Sequence, residues 1–296
     1  MKNDDTAMER PSAETVAEPS FGDLMRRWRA ARRLSQLDLA GDAGCSARHL
    51  SFLETGRSKP SREMVERLAS SLELSLRATN TLLLSAGFAP RFPERPLDHP
   101  ALKPAHQSIR FLLDAHHPYP AFVVDRLWNI VASNRAHQLL LRWMLGPARE
   151  GNGDASGGAR NILHLVLAPH LLRPYLANWS EVAGHLIRRL ERQLGQPSSD
   201  GRLERLHDRL IAYPDVAEAG RQQAPLVDHD LLVPTIFRVQ GRRLAWFSTL
   251  ASFGAAVDIT LSEILIELLY PMDSETAEVA TELLAKLEPQ ATVPRE

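Results

Sequence analysis

The residues from position 47 to position 53 have the types and the spacing of a helix with one apolar face and one exposed face. At 3.6 residues per turn, Leu50 and Leu53 point toward a core, and the rest of the segment faces outward. The outward-facing candidates are Ala47, Arg48, Ser51 and Phe52. A helix with such a face can lie in the major groove, where the edges of the bases are accessible. The spacing therefore predicts a recognition helix.

The flanking residues predict the elements that would position this face. Ser35 is expected to cap a short helix from Gln36 to Ala43, which Gly44 ends. Ser46 is expected to cap the recognition helix, and Gly56 to terminate it. A helical hairpin that does not bind DNA could share part of this pattern, but the full set of positions is typical of a helix-turn-helix.

This motif lies within a predicted all-α domain. Five short helices are expected between Phe21 and Gly87, and the domain is placed at residues 21–90. Residues 1–20 are interpreted as a disordered tail and residues 91–100 as a proline-rich linker. A second, regulatory domain is predicted over residues 101–290.

The charge of the chain is concentrated in the same segment. The whole sequence has a net charge of −1, but residues 21–96 contain 13 Arg and Lys against 8 Asp and Glu, a net charge of +5. The tail and residues 97–296 each have a net charge of −3. A basic excess in the segment that holds the motif fits a phosphate-binding surface.

Composition excludes several other classes of protein. With 44% apolar residues, the chain can form hydrophobic cores. The longest notable uncharged stretch, residues 244–257, is too short to span a bilayer, and residues 1–20 have no signal-peptide core. A single cysteine, Cys45, permits neither an intrachain disulfide nor a thiolate metal cluster. We therefore expect a cytoplasmic protein that does not interact with membranes.

No pattern in the sequence predicts catalysis, a metal or a cofactor. The eleven histidines include no HExxH pair, and His116-His117 has no further ligands at suitable spacing. The glycines of residues 151–158 are not followed by the Gly-Lys-Ser/Thr end of a phosphate-binding loop, and there is no Gly-x-Ser-x-Gly motif.

The second domain is predicted to be α+β, with an antiparallel sheet of about five strands. A hairpin is expected from residues 121–125 and 130–133, followed by a helix that Asn134 caps. Further strands are expected at 233–239, 244–250 and 264–269, and further helices at 102–116, 161–167, 171–194, 202–213 and 274–287. Residues 146–160 are glycine-rich and predict a loop.

Longer blocks of sequence resemble a known family. Residues 21–87 are similar to the lambda-repressor-like XRE family of helix-turn-helix proteins. The run from Arg48 to Val65 (RHLSFLETGRSKPSREMV) resembles the MmyB-like branch of that family. Four shorter blocks, with the residues around them, resemble the same branch: Ala86-Gly87-Phe88-Ala89-Pro90, Tyr119-Pro120-Ala121, Trp128-Asn129 and Phe253-Gly254. The resemblance implies a PAS-like fold for the second domain and a role in ligand binding.

The resemblance also implies roles for residues of the first domain. Gln36, Ser46, Arg57 and Lys59 would hold DNA phosphates. Arg48 would contact a base, since a guanidinium can grip O6 and N7 of guanine together. Ala47 and Phe52 could contact thymine methyl groups, although Phe52 could equally pack at the edge of the domain. Arg29 and Glu54 resemble a pair that braces the first helix against the third.

A ligand site in the second domain is predicted from the PAS-like resemblance and from an apolar side of the sheet. We expect a largely apolar cavity between the sheet and the helices of residues 161–194. The candidate lining residues are aromatic: Phe122, Trp128, Trp143, Trp179, Phe237, Trp246 and Phe253. His164, Arg173 and Asn178 are the candidate polar anchors.

The leading hypothesis is a bacterial transcriptional regulator that acts as a repressor. It would bind a palindromic double-stranded operator as a homodimer, because one helix-turn-helix buries too little surface for high specificity. A small apolar molecule would control it. Two alternatives stay open: a second domain that serves only dimerisation or partner binding, and an enzyme that carries a DNA-binding module.

Overall fold

The computed structural model describes residues 19–146, 161–196, 201–222 and 233–287. The predicted tail and the predicted loop at 146–160 lie almost entirely outside these residues. The described residues divide into two compact units: those up to Leu72 with Thr81–Phe88, and Glu73–Asn80 with those from Ala89 onward.

The five helices predicted in the N-terminal region are confirmed, with ends that differ by one or two residues. They are α1 (Phe21–Ala31), α2 (Gln36–Asp42), α3 (Ala47–Glu54), α4 (Arg62–Ser71) and α5 (Leu76–Ser85). Serine side chains cap the first four by accepting a hydrogen bond from a backbone N–H in the first turn. Apolar positions one turn apart fill the core between these helices, including Leu39, Leu50, Leu53, Val65 and Leu68.

The second unit contains an antiparallel sheet of five strands in the order β2-β1-β5-β4-β3. The strands are β1 (Ala121–Val124), β2 (Ile130–Ser133), β3 (Thr235–Val239), β4 (Arg242–Ala251) and β5 (Leu265–Pro271). The helices are α6 (Lys103–Ala115), α7 (Arg135–Leu145), α8 (Ile162–Leu167), α9 (Trp179–Leu194), α10 (Arg202–Ile211), α11 (Val216–Arg221), α12 (Ile259–Glu263) and α13 (Ser274–Leu287). The predicted fold class, a helix-turn-helix region followed by an α+β domain, is confirmed.

The two faces of the sheet are buried in different clusters, because alternate residues of a strand point to opposite sides. On one face, Phe237, Leu244 and Trp246 join the larger cluster with residues of α7 to α11 and α13. On the other face, Val123 and Ile266 join a smaller cluster that α6 covers. Helices on both sides therefore shield the apolar residues of the sheet.

The predicted helix over residues 171–194 is wrong in its first third. A 3-10 turn at Arg173–Tyr175 and an isolated bridge from Leu176 to Phe237 precede α9, which begins at Trp179. The backbone N–H of Ala177 donates to the carbonyl oxygen of Ile236 at 2.8 Å. A helix cannot form there because these backbone groups extend the edge of the sheet. The helices α11 and α12, of six and five residues, were not predicted, since such short segments show little periodicity.

The segment that follows α5 is tied to the second unit by hydrogen bonds. The side chain of Asn80 accepts from the backbone of Arg91 and Phe92 and donates to the carbonyl of Phe92 at 2.7 Å. Thr260 donates to the carbonyl oxygen of Arg95 at 2.6 Å, and the Arg95 guanidinium pairs with Asp258 at 3.0 Å. Residues 91–95 thus have defined tertiary contacts, although their four neighbouring prolines are typical of a linker.

Candidate nucleic-acid interface and candidate ligand site

The turn between α2 and α3 has the geometry that its sequence predicts. Gly44 has a φ of 63°, a left-handed conformation that glycine adopts without strain. The next backbone N–H, of Cys45, donates to the carbonyl oxygen of Ala40 at 2.8 Å and closes the end of α2. Ser46 then accepts from the N–H of His49 at 3.1 Å and starts α3. These local bonds fix the angle between the two helices.

A buried ion pair braces α1 against α3. The Arg29 guanidinium donates to both carboxylate oxygens of Glu54, at 2.7 and 2.9 Å, and to the carbonyl oxygen of Leu34 at 3.0 Å. The Glu54 side chain is only 1% exposed. Burial would raise the pKa of Glu54, but hydrogen bonds from Arg29 and Gln36 outweigh burial and lower this pKa. The pair that the resemblance implied is therefore present.

The helices α1 and α3 also approach closely beside this pair. A β-carbon added at Gly22 would collide with the carbonyl oxygen of Glu54. Only glycine lets the start of α1 lie against the end of α3 at this distance. Together with the ion pair, this contact holds α3 in a fixed position on the domain.

The outer face of α3 carries the four predicted contact residues. Arg48 is exposed, and its guanidinium lies 5.4 Å from the ring centroid of Phe52, one turn further along. Ala47 and Ser51 lie beside them and are half-buried. The structure thus brings these side chains to one surface, on the side of α3 opposite the buried Leu50 and Leu53.

The predicted phosphate-binding residues have different surroundings. Arg57 and Lys59 are exposed in the loop after α3, and neither has an ion-pair partner among the described residues. Ser46 uses its hydroxyl oxygen as the cap of α3. Gln36 donates through its amide to Glu54 at 2.8 Å, so this side chain supports the brace in this structure.

The predicted ligand residues of the second unit do not all lie together. The larger cluster contains Trp128, Phe237 and Trp246, and the half-buried Trp143 and Trp179 pack against it. Phe253 belongs to the cluster on the opposite face of the sheet. Phe122 lies against His137, with ring centroids 4.7 Å apart. Burial lowers the pKa of His137 to about 4, so this imidazole is neutral at pH 7.

The three predicted polar anchors all bind other parts of the protein. His164 pairs with the hydroxyl of Tyr213 at 2.5 Å. Arg173 binds Asp215 at 2.6 Å, and its guanidinium lies 3.6 Å from the ring centroid of Trp179. Asn178 accepts from the N–H of Ile236 at 3.1 Å and donates to the carbonyl of Pro234 at 2.8 Å. Asn178 thus binds β3 and the residue before it, whereas His164 and Arg173 bind the segment between α10 and α11.

A partly enclosed void lies beside Trp246, but it is small. Its volume is about 10 Å³, which is roughly the space of one water molecule. The sequence predicts a cavity between the sheet and the helices of residues 161–194. This void lies elsewhere, because β4, α7, α13 and two prolines before β1 line it. The indole N–H of Trp246 is buried at this place and has no hydrogen-bond partner among the described residues.

A larger cleft, of about 410 Å³, opens between the turn after β1 and α9. Its charged lining consists of three arginines and two acids, and its apolar lining includes Val124 and Leu265; the charged residues are Arg126, Arg189, Arg192, Asp125 and Glu263. Sequence reasoning missed these arginines. The sequence pattern that points to two of them is their separation on α9. Arg189 and Arg192 are three residues apart, which places them on neighbouring positions of one helix face.

The described residues contain neither a cluster of metal ligands nor a helix that could span a membrane. No three His, Cys, Asp or Glu side chains in residues 19–146, 161–196, 201–222 and 233–287 lie close enough together to hold a metal ion. No helix of the described chain is both long and apolar enough to cross a membrane.

Comparison with protein families gives two matches. A profile described as the MmyB-like transcription regulator ligand binding domain matches residues 105–283, which is more than half of the chain. A helix-turn-helix domain profile matches residues 20–82. A comparison with curated proteins found no match.

Two solved structures are similar to parts of the chain. The clp gene regulator ClgR from Corynebacterium glutamicum is 26% identical over 33% of this chain and 90% of its own, with a TM-score of 0.20. An RNA-binding light-oxygen-voltage receptor is 16% identical over 90% of this chain and 64% of its own, with a TM-score of 0.24. At such low TM-scores, neither structure bears on the function of this chain.

Proposed function

Because the chain belongs to the family of MmyB-like transcription regulators, we propose that it is a repressor whose binding to a palindromic operator is controlled by a small molecule. DNA binding and transcription regulation follow from the two matched domains. Both domains are of the regulator type, which favours a regulatory protein over an enzyme. A regulator of this kind acts where the DNA is, and we place it in the cytoplasm of a bacterial cell.

The observation that carries the proposal is the braced recognition helix. Its exposed face presents Arg48 and Phe52, and the Arg29–Glu54 pair fixes its position. Exposed Arg57 and Lys59 follow directly and can bind phosphates on either side of the groove. Phosphate contacts would orient the helix, and Arg48 would read a base.

A homodimer is proposed because one such helix contacts only a few base pairs. Two copies would read half-sites about one helical turn apart, roughly 34 Å, and the operator would then be palindromic. Sedimentation of the full chain with a duplex that carries one or two half-sites tests this arrangement. Two copies bound to the palindrome, with much weaker binding to the single half-site, would support it.

The affinity for DNA is expected to fall steeply with salt, because phosphate contacts release counterions. Arg57→Ala and Lys59→Ala should each reduce the slope of log affinity against log salt by about one unit. Fluorescence anisotropy with a labelled duplex across a salt series measures these slopes. Arg110→Ala is the matched control, since Arg110 is an exposed arginine of α6 outside the helix-turn-helix. A wild-type slope near zero would contradict the phosphate contacts.

Arg48 is expected to contribute specificity rather than general attraction. Arg48→Ala should cost about 1–3 kcal/mol on the operator and much less on unrelated DNA, because a bidentate contact to guanine is lost. Arg48→Lys is the matched variant: it keeps the charge but not the planar fork, so it should also lose discrimination. The operator is first obtained by selecting bound duplexes from a random pool. Equal losses on both kinds of DNA would identify Arg48 as a phosphate contact.

The ligand response is proposed on the basis of the matched ligand-binding domain. Denaturing release of small molecules that copurify with the protein, followed by mass spectrometry, would identify a candidate. Operator affinity measured with and without this molecule then tests control. The small size of the void beside Trp246 favours the second candidate function, in which residues 105–283 serve only dimerisation or partner binding. No copurifying molecule, together with dimerisation lost on removal of these residues, would support that candidate.

A further inference from the structure

The cleft between α9 and the turn after β1 has rigid walls. The Asp125 carboxylate accepts from the backbone N–H groups of Leu127 and Asn129, at 2.8 and 2.9 Å. Gln193 of α9 accepts from the indole N–H of Trp128 at 3.0 Å and donates to the carbonyl oxygen of Arg126 at 2.9 Å. One side chain of α9 thus fixes both the indole and the backbone of the turn, and the cleft does not depend on a ligand for its shape.

Two guanidinium groups in this cleft have no hydrogen-bond acceptor and no close carboxylate among the described residues. Among the residues that the structure describes, Arg189 and Arg192 form no hydrogen bond through their side chains, and no carboxylate lies within 4.0 Å of either. Arg189 is half-buried, with its guanidinium 4.5 Å from the ring centroid of Trp128. A half-buried cation without a carboxylate is unusual, since desolvation of a charge is normally offset by a counterion.

Two acidic residues line the cleft, but they bind groups other than Arg189 and Arg192, and Glu263 lies 4.0 Å from Arg126. Asp125 holds the turn, and Glu263 accepts two hydrogen bonds from Arg77, at 2.6 and 2.8 Å, all within the second unit. Glu267 lies near Arg189, but burial raises the pKa of its carboxyl group despite the attraction of Arg189 and a hydrogen bond from Ser248. Burial in turn lowers the pKa of Arg189. Asp125 and Glu263 thus balance part of the charge of the cleft, but neither lies within 4.0 Å of Arg189 or Arg192.

We propose that this cleft binds a small organic anion, whose carboxylate or phosphate group pairs with Arg189 and Arg192 and whose apolar part packs on Val124, Trp128 and Leu265. A planar guanidinium binds either oxyanion through two parallel hydrogen bonds. A volume of about 410 Å³ is in the range of small-molecule sites and is larger than an inorganic ion needs. The inference adds a binding site and a ligand class to the proposed ligand response. The existence of the site does not depend on the proposed function; only an effect of the anion on operator binding does.

Binding of four probes to the full chain tests the site. Benzoate and phenyl phosphate supply the two oxyanions on an apolar ring, benzamide is the neutral counterpart of benzoate, and inorganic phosphate lacks the apolar part. Titration calorimetry at constant ionic strength should show that one of the organic anions binds at least about tenfold more tightly than benzamide and inorganic phosphate, because charge-assisted hydrogen bonds and apolar contact both contribute. Equal binding of benzamide, or of inorganic phosphate, would overturn the proposal, and so would no binding of either organic anion.

Variants locate the site on the chain. The double variant, Arg189→Gln with Arg192→Gln, should bind the tighter organic anion with an affinity about tenfold or more below that of the wild type. Arg110→Gln on α6 should leave this affinity unchanged. If the double variant does not fold, the single change of the exposed Arg192 keeps the test, with a smaller loss in affinity. Wild-type affinity in a folded variant would overturn the assignment.

The same samples separate this inference from the proposed function. Operator affinity is measured with and without a saturating amount of the tighter anion. A bound anion that leaves operator affinity unchanged would support the site and contradict only the proposed control by this ligand. Absence of operator binding both with and without the anion would contradict the proposed function, while calorimetry on the protein alone would still decide the site.

Discussion

Arg29→Ala is expected to destabilise the helix-turn-helix region by about 3–5 kcal/mol, because it leaves a buried carboxylate without its cation. Glu54 would keep only the hydrogen bond from Gln36, and Leu34 would lose the donor to its carbonyl oxygen. The brace between α1 and α3 would be lost with it. Hydrogen exchange read peptide by peptide measures the loss within residues 21–72 separately from the second unit.

Acid should reduce the effect of this substitution. The lowered pKa of Glu54 stabilises the native protein above the ordinary glutamate pKa of 4.5, and this stabilisation is lost as the pH falls through the lowered value. In the variant, burial raises the pKa of Glu54 and only the hydrogen bond from Gln36 and the attraction of Arg26 oppose it, so protonation of Glu54 relieves the penalty. The difference between wild type and Arg29→Ala should therefore shrink below pH 4.5. A difference that does not change with pH would show that lost packing, and not the ion pair, is responsible.

Arg26→Ala is the matched control for this prediction. Arg26 pairs with Asp23 at 2.6 Å on the same helix, but their side chains are 53% and 43% exposed. Solvent screens such a pair, and its removal should cost less than about 1 kcal/mol. A loss for Arg26→Ala as large as that for Arg29→Ala would contradict the importance of burial.

Trp246→Ala is expected to destabilise the second unit by about 3–5 kcal/mol in the absence of any ligand. Trp246 is 1% exposed and lies among the residues of the larger cluster, beside a void of only about 10 Å³. Removing the indole would leave a cavity that the surrounding helices cannot fill. Thermal and denaturant unfolding of the full chain measure the loss, and little loss without ligand would indicate a ligand-filled cavity instead of a packed core.

Two further variants on and near this position separate volume from polarity. Trp246→Phe should cost much less than Trp246→Ala, because it keeps most of the ring and removes a buried N–H that has no partner among the described residues. Leu250→Ala, on the same strand, should cost little, since Leu250 is 49% exposed. Similar losses for all three variants would contradict a packed environment specific to Trp246.

Most local structure of the helix-turn-helix could be predicted from the sequence. Serine caps, the glycine of the turn and the periodic leucines each act through neighbours within about one helical turn. The ends of α2 and α3 and the outward position of Arg48 follow from such local rules. The antiparallel hairpin of β1 and β2 and the cap at Asn134 follow in the same way.

The candidate ligand residues could not be placed by the same reasoning. Aromatic composition predicted a common cavity, but Phe253 packs on the other face of the sheet, Arg173 binds the segment between α10 and α11, and Asn178 binds β3. Whether a buried polar group meets a protein partner or a ligand depends on residues far away in sequence. No local pattern contains that information.

By itself, the sequence determined the helix-turn-helix, the two-domain organisation and the five antiparallel strands, because each depends on short-range periodicity and capping. Only the tertiary structure decided that Trp246 is closely packed, that Gln36 supports Glu54, and that Arg189 and Arg192 face a cleft without a carboxylate partner among the described residues. The physical reason is that burial and the pairing of charges are set by contacts between distant segments. In this chain, α9 meets the turn after β1 across more than 60 residues, as the bond from Trp128 to Gln193 shows.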